Sequence, residues 1–323
     1  MKKIIICCIL IMSATLYSQI DRTKKPEPQA TPKLQLPKIQ RATLSNGLSL
    51  MLVEHHELPV VYAQLVFQTG AAKEEKSGTA NLTAQMLKEG TSKRTSLQIA
   101  DDIEFIGAEI SIGSNYDATF ASLLTVKEHL NSALEIYSDI LLHPTFPEKE
   151  ILKEKQVVLE ELKNSEDEPE EYLHDTFEQH LYPSHPLGFS ILGTAETIAQ
   201  FSQKELRSYF TQYYKPKNFV IAAAGNISHE KLITLVEKYF SSKKNPSSSS
   251  TENFSVPHPP SSRKEIHKPF QQAHTCIGKT IFTIHHPQRY SALVLNAFLG
   301  DGMSSRLFQS VREKYGLVYT IYS

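Results

Sequence analysis

A serine- and proline-rich interruption near residue 250 divides this chain of 323 residues into two parts. Residues 241–262 contain nine serines and four prolines, a composition that supplies no apolar face for a core and is typical of a linker. A chain of this length ordinarily forms about two domains. We therefore expect a first domain at residues 41–240 and the start of a second domain at residues 263–323.

The first part alternates between strand-like and helix-like patterns. Residues 43–50 predict two strands around a turn at Asn46-Gly47, because Asn-Gly favours the left-handed backbone of a tight hairpin. Ser77 is the expected N-cap of the helix that follows, and Gly90 its expected stop. Further strands are expected at 59–67, 108–112, 116–126 and 219–225, and helices at 77–88, 96–106, 127–142, 147–182 with a break near Pro169, and 229–240. The mixture predicts an α+β fold.

The second part begins with a pattern that partly repeats the first. Gly90 and Gly107 lie 17 residues apart, and Gly300 and Gly316 lie 16 apart, which indicates duplication of one α+β unit. We expect strands at 273–284 and 317–322 and helices at 290–299 and 304–314. Because an unpaired strand leaves backbone groups unsatisfied, we expect a second domain that is truncated here or is completed by another chain.

The first residues have the pattern of an export signal. Lys2-Lys3 precede the apolar run Ile4–Met12, and small and polar residues follow up to Gln19. This pattern predicts a signal peptide at residues 1–18, followed by a proline-containing tether at 19–40. The protein is therefore expected to be exported, to the periplasm or the cell envelope. The apolar run is shorter than the roughly 20 residues that span a bilayer.

Charge and cysteine content exclude two classes of protein. The formal net charge is −1, whereas proteins that bind nucleic acid need a surplus of cations. No nucleic-acid partner is therefore expected. No membrane span is expected either, because no later stretch of the chain is long and apolar enough to cross a bilayer. Three cysteines cannot form a disulfide framework.

Six short segments of the chain, taken together and in order, carry a family resemblance. They are Leu44–Leu48, Gly78–Thr91, Val157–Glu161, Tyr182–Gly188, Ile191–Thr194 and Gly302–Tyr319. The series resembles the insulinase/pitrilysin family of zinc metallopeptidases, especially its processing-protease-like branch. The resemblance implies two homologous α+β domains, each a mostly antiparallel sheet flanked by helices. It also implies an H-x-x-E-H helix, in which two His bind zinc and the Glu activates water.

The residues at the positions of that motif are not the ones that zinc chemistry needs. The resemblance places Asn81 and Gln85 at the two histidines, Ala84 at the glutamate, and Glu161, 80 residues after Asn81, at the distant third ligand. Neutral amides suit zinc poorly, and alanine cannot accept a proton. We therefore predict that this chain binds no metal, unless the register is wrong by one turn. Glu161 either faces the former metal cavity or lies on the solvated side of an acidic helix.

Arg312 and Tyr319 match a second functional motif of the family. They lie seven residues apart, as does the Arg/Tyr pair that the second half of active members supplies. The resemblance implies that Arg312 holds a substrate carbonyl and that Tyr319 donates a hydrogen bond to the oxyanion of the transition state. The alternative is an exposed Arg at a helix end and a Tyr that faces the core.

The combination leads to three hypotheses. The first is a non-catalytic subunit of a heteromeric zinc metalloendopeptidase, whose partner is a homologous H-x-x-E-H subunit that holds the zinc. In this hypothesis Arg312 and Tyr319 act in trans on a bound peptide. The second is an active peptidase with a different metal site, and the third is a structural or assembly subunit of the cell envelope.

Overall fold

The computed structural model describes residues 35–215, 219–240 and 259–323. The predicted signal peptide, most of the predicted tether and most of the predicted linker lie outside these residues. Residues 39–323 belong to one unit of contacting residues, and the description below concerns that unit. Within the described residues, no helix combines the length and the apolar character that crossing a membrane requires.

Within the described residues, six strands form one sheet in the order β1-β2-β6-β3-β5-β4. Neighbouring strands are antiparallel, except for β2 and β6, which are parallel. The predicted mostly antiparallel sheet is therefore confirmed for the first part of the chain. The strands are β1 Gln40–Thr43, β2 Ser49–Glu54, β3 Val60–Phe67, β4 Glu109–Ser114, β5 Thr119–Val126 and β6 Phe219–Gly225.

Most of the predicted helices are present. The 147–182 segment divides as predicted, because Glu168 is extended and Pro169 begins a new helix. A 3₁₀ turn, Met86–Lys88, continues the first helix. The helices are α1 Thr79–Gln85, α2 Ser96–Phe105, α3 Leu130–Leu142, α4 Glu148–Asp167, α5 Pro169–Leu181, α6 Ala195–Gln200, α7 Gln203–Tyr213, α8 His229–Phe240 and α9 Arg289–Leu299. A π-helical turn follows at Phe308–Lys314.

The core lies between one face of the sheet and the helices. Along β3, Val61, Leu65 and Phe67 are fully buried and Tyr62 is exposed, because side chains of a strand alternate between faces. Tyr137 of α3 joins helix to sheet. Its hydroxyl accepts a hydrogen bond from the Leu65 amide at 3.2 Å and donates one to the Ala121 carbonyl at 2.6 Å.

The prediction of two strands after the linker is wrong. Residues 273–284 and 317–322 form no strand within the described segment 259–323, because a strand requires a neighbour for its backbone groups. The segment instead contacts α5 and the end of α4. Lys268 lies over the Tyr172 ring at 3.5 Å and donates to the Glu166 carbonyl at 2.8 Å, and the Tyr322 hydroxyl donates to Glu170.

Candidate functional site

A carboxylate that precedes α1 holds the first turn of this helix. The N-cap is Gly78, with φ of 92° and no side chain of its own to cap the helix, so the predicted N-cap role of Ser77 is wrong. Glu74 accepts hydrogen bonds from the amides of Gly78 at 2.9 Å and Ala80 at 2.7 Å. Burial raises the pKa of Glu74 to about 7, although the two amides oppose that rise. Sequence reasoning missed Glu74 because it lies outside the helical pattern.

The face of α1 that carries the altered motif positions is buried but not fully hydrogen-bonded. Asn81 is only 7% exposed, and its Nδ2 has no hydrogen-bond partner among the described residues. The Oε1 of Gln85 is also buried without a partner. Residues four apart lie on the same helical face, so α1 presents one amide donor and one amide acceptor side by side. Such unpaired buried groups are rare in folded proteins and need an explanation.

The rest of α1 packs into the core, as the sequence predicts. Leu82 is almost fully buried and Thr83 is fully buried, and Leu87 of the 3₁₀ continuation is fully buried as well. The Thr83 hydroxyl also has no partner among the described residues. It lies two positions from Asn81, and residues two apart in a helix do not share a face. Thr83 is therefore directed away from the Asn81 and Gln85 face.

The donors at the altered motif positions do not fit a zinc ion. Asn81 and Gln85 supply neutral amides where imidazoles or thiolates are preferred, and Ala84 supplies no base. Glu161 is exposed on α4, and α4 packs against α1. In the described part of the chain, no three His, Cys, Asp or Glu side chains are grouped so that they could hold a metal ion. The absence of zinc from this chain stays a prediction.

β4 is an edge strand with a free row of backbone groups. Among the described residues it pairs only with β5. The Asn115 amide donates to the Ala118 carbonyl at 2.9 Å, and in an antiparallel ladder hydrogen-bonded pairs alternate with non-bonded pairs. The bonded pairs therefore involve residues 109, 111 and 113, and the N–H and C=O groups of Ile110, Ile112 and Ser114 point to the free edge.

The free edge lies beside the altered motif, because α1 packs against β4. Ile110 and Ile112 contact the core, and Ser114 shares their face of the strand, so its side chain is on the helical side of the sheet. The Ser114 hydroxyl is buried and has no partner among the described residues. We call the outer edge of β4 with Asn81, Gln85 and Ser114 the edge site.

Arg312 and Tyr319 lie close together. The Arg312 guanidinium carbon is 5.8 Å from the centre of the Tyr319 ring and 4.6 Å from that of Phe308. Both distances are in the range of cation–π contacts. Tyr319 is 84% exposed, so it faces no core within the described residues. The catalytic role of the pair stays a prediction.

Other histidines have local partners. The His185 Nδ1 accepts from the Leu187 amide at 3.2 Å. The His180 Nε2 lies 2.8 Å from the Ser262 hydroxyl, and the His174 Nε2 lies 3.4 Å from the Tyr322 hydroxyl.

Comparison with known proteins gives consistent matches over both parts of the chain. Residues 50–195 match the family described as Insulinase (Peptidase family M16), and residues 200–323 match the Peptidase M16 inactive domain. The uncharacterized zinc protease YmxG of Bacillus subtilis is 37% identical over 287 residues, which cover 88% of this chain and 69% of YmxG.

Two solved structures share the fold. The peptidase M16 inactive domain from Pseudomonas fluorescens aligns with a TM-score of 0.78 at 24% identity, covering 88% of this chain and 70% of that one. The periplasmic protease PqqL from Escherichia coli aligns with a TM-score of 0.64 at 20% identity, covering 70% of this chain and 26% of PqqL. At these identities the likeness supports the fold alone.

Proposed function

This chain belongs to the insulinase family, peptidase family M16, and we propose that within it the protein is a non-catalytic subunit that binds extended peptides. The observation that carries the proposal is the edge site. There a helix with no zinc-type ligands at the motif positions packs against a strand whose outer edge has no partner strand in the described part of the chain. In this proposal the strand edge binds a peptide, and the helix does not contribute a catalytic zinc.

The expected mode of binding is strand addition. An extended peptide laid along β4 pairs its main chain with the outward groups of Ile110, Ile112 and Ser114. Main-chain pairing recognises the backbone rather than particular side chains, so it accepts many sequences. A hydrogen bond between Asn115 and Ala118 closes the loop that connects β4 to β5. This loop marks the end of β4, and therefore the end of the row of backbone groups with which a peptide would pair.

The proposed partner is a homologous subunit that carries H-x-x-E-H and holds the zinc. This chain would supply Arg312 and Tyr319, whose exposed ring and adjacent guanidinium can approach a peptide held between the subunits. The proposal includes export, on the basis of the first 18 residues. PqqL, which shares the fold, is a periplasmic protease, and a periplasmic location of this chain is consistent with that.

A reconstitution experiment tests the subunit proposal. Unstructured peptides are incubated with the purified chain alone, with an H-x-x-E-H homologue alone, and with both together. We expect much less than one zinc per chain by elemental analysis, no cleavage by this chain alone, and faster cleavage by the mixture than by the homologue. Cleavage by the chain alone that a chelator abolishes would favour an independent peptidase. No effect in the mixture would favour a structural subunit.

Two matched variants test strand addition. Ile112→Pro removes an amide that points to the free edge but leaves the ladder with β5 intact, whereas Ile112→Ala shortens the same side chain and keeps the amide. We expect the proline variant to bind peptide about tenfold more weakly than the alanine variant does, as measured by fluorescence anisotropy. Equal affinities of the two variants would reject pairing along β4.

A further inference from the structure

We infer that Asn81 and Gln85 bind the main chain of a peptide that is paired with β4, and that the former zinc positions now form a neutral, amide-based binding site. The inference rests on the proposed function, and it specifies how the second side of the peptide is recognised. An extended peptide directs the N–H and C=O groups of alternate residues to opposite sides. β4 satisfies one side and leaves the other without partners.

The unpaired atoms of α1 complement that second side. A residue of an extended peptide presents one N–H donor and one C=O acceptor in the same direction. The Nδ2 of Asn81 is a donor for a carbonyl, and the Oε1 of Gln85 is an acceptor for an amide. Both atoms are buried without partners among the described residues, both lie on one helical face, and α1 packs against β4.

The energetics of the free protein support a ligand at this position. A buried polar group without a partner destabilises the fold, and apolar residues of similar shape would avoid that penalty. The same helix and its 3₁₀ continuation have leucine or methionine at 82, 86 and 87, so apolar residues are compatible with its packing. A peptide that pairs with Asn81 and Gln85 removes the penalty on binding. Ser114, whose hydroxyl can donate or accept, supplies a third contact at the end of β4.

The test uses the full chain and a defined probe, a fluorescein-labelled peptide of ten residues that alternates Val and Thr. In two derivatives, esters replace the amides of either the odd or the even residues, which removes hydrogen-bond donors without adding bulk. One derivative loses the donors that face β4 and the other loses those that face α1. We expect both derivatives to bind at least three- to tenfold more weakly, roughly the effect of losing one or more hydrogen bonds.

Substitutions assign the second effect to named side chains. Gln85→Met removes the acceptor and keeps the side-chain length, so it should weaken the all-amide peptide about three- to tenfold and make binding insensitive to one of the two ester sets. Asn81→Leu should weaken binding by a similar factor. The matched control is Thr83→Val, which removes an unpaired buried hydroxyl from the opposite face of α1 and should leave affinity unchanged.

The outcomes separate this inference from the proposed function. If only one ester set weakens binding and Gln85→Met has no effect, strand addition stands and the role of Asn81 and Gln85 is rejected. If neither ester set weakens binding, peptide pairing on β4 is rejected as well. Circular dichroism and thermal denaturation of each variant establish that any loss of affinity occurs in a folded protein.

Discussion

Replacing Asn81 by leucine should stabilise this protein, although the residue is buried and polar. Leucine has the same number of side-chain heavy atoms as asparagine and fills a similar space. The substitution removes an Nδ2 group that is buried without a partner among the described residues, and such a group costs about 1–3 kcal/mol. Leucine also has the higher helix propensity, by a few tenths of a kcal/mol. We expect a gain of about 1–2 kcal/mol, since part of the amide still reaches solvent at 7% exposure.

The gain is measurable by thermal and urea denaturation of the peptide-free chain. For a domain of this size, 1 kcal/mol corresponds to a rise in Tm of about 2–4 °C. Thr83→Val, which also removes an unpaired buried hydroxyl, should raise Tm by a similar amount. The two variants therefore match in stability and differ in peptide affinity. A Tm of Asn81→Leu at or below the wild-type value would refute the reasoning, because it would mean that Nδ2 is satisfied in the free protein.

Three further predictions concern metal binding, pH and the loop after α1. The substitutions Asn81→His, Ala84→Glu and Gln85→His together restore the H-x-x-E-H motif and should create a zinc site that elemental analysis detects. Failure of this variant to bind zinc would contradict the alignment of these residues with the motif. The pKa of Glu74 is raised from 4.5 to about 7, so the native state holds a proton that the unfolded state releases. The free energy of unfolding should therefore fall by up to about 3 kcal/mol as the pH rises from about 5 to 7. Over the same pH range, the urea midpoint of Glu74→Gln should fall less than that of the wild type. Arg94 contacts Asp139, which is 2% exposed, at 3.1 Å. Arg94→Met should lower the free energy of unfolding by about 3 kcal/mol, because it leaves that buried carboxylate without the arginine. An unchanged Tm would contradict this prediction.

Local patterns predicted the elements of the first domain well, because helices and hairpins depend on neighbouring residues. The Asn46-Gly47 turn is present, and Gly47 has the left-handed φ of 87° that the pattern requires. The order of strands could not be predicted in the same way. β6 lies more than 90 residues from β5 in sequence, and only long-range packing determines that it inserts between β2 and β3.

The candidate site could likewise be predicted from local sequence only in part. Asn81 and Gln85 could be identified because they occupy positions of a short motif. Their neighbour β4 could not be identified as an edge strand, since an edge is a property of the whole strand order. The predicted strands at 273–284 and 317–322 were wrong for a related reason, because apolar composition favours a strand only where a neighbouring strand supplies hydrogen bonds.

The position of β6 has a consequence for the synthesis of the protein. The strand at the centre of the sheet is the last of the six to leave the ribosome, since β6 ends at Gly225. Until then β2 and β3 have no common neighbour, and the nascent chain cannot complete its core. Late completion of the sheet is compatible with the export that we propose, because export through a membrane channel requires an unfolded chain.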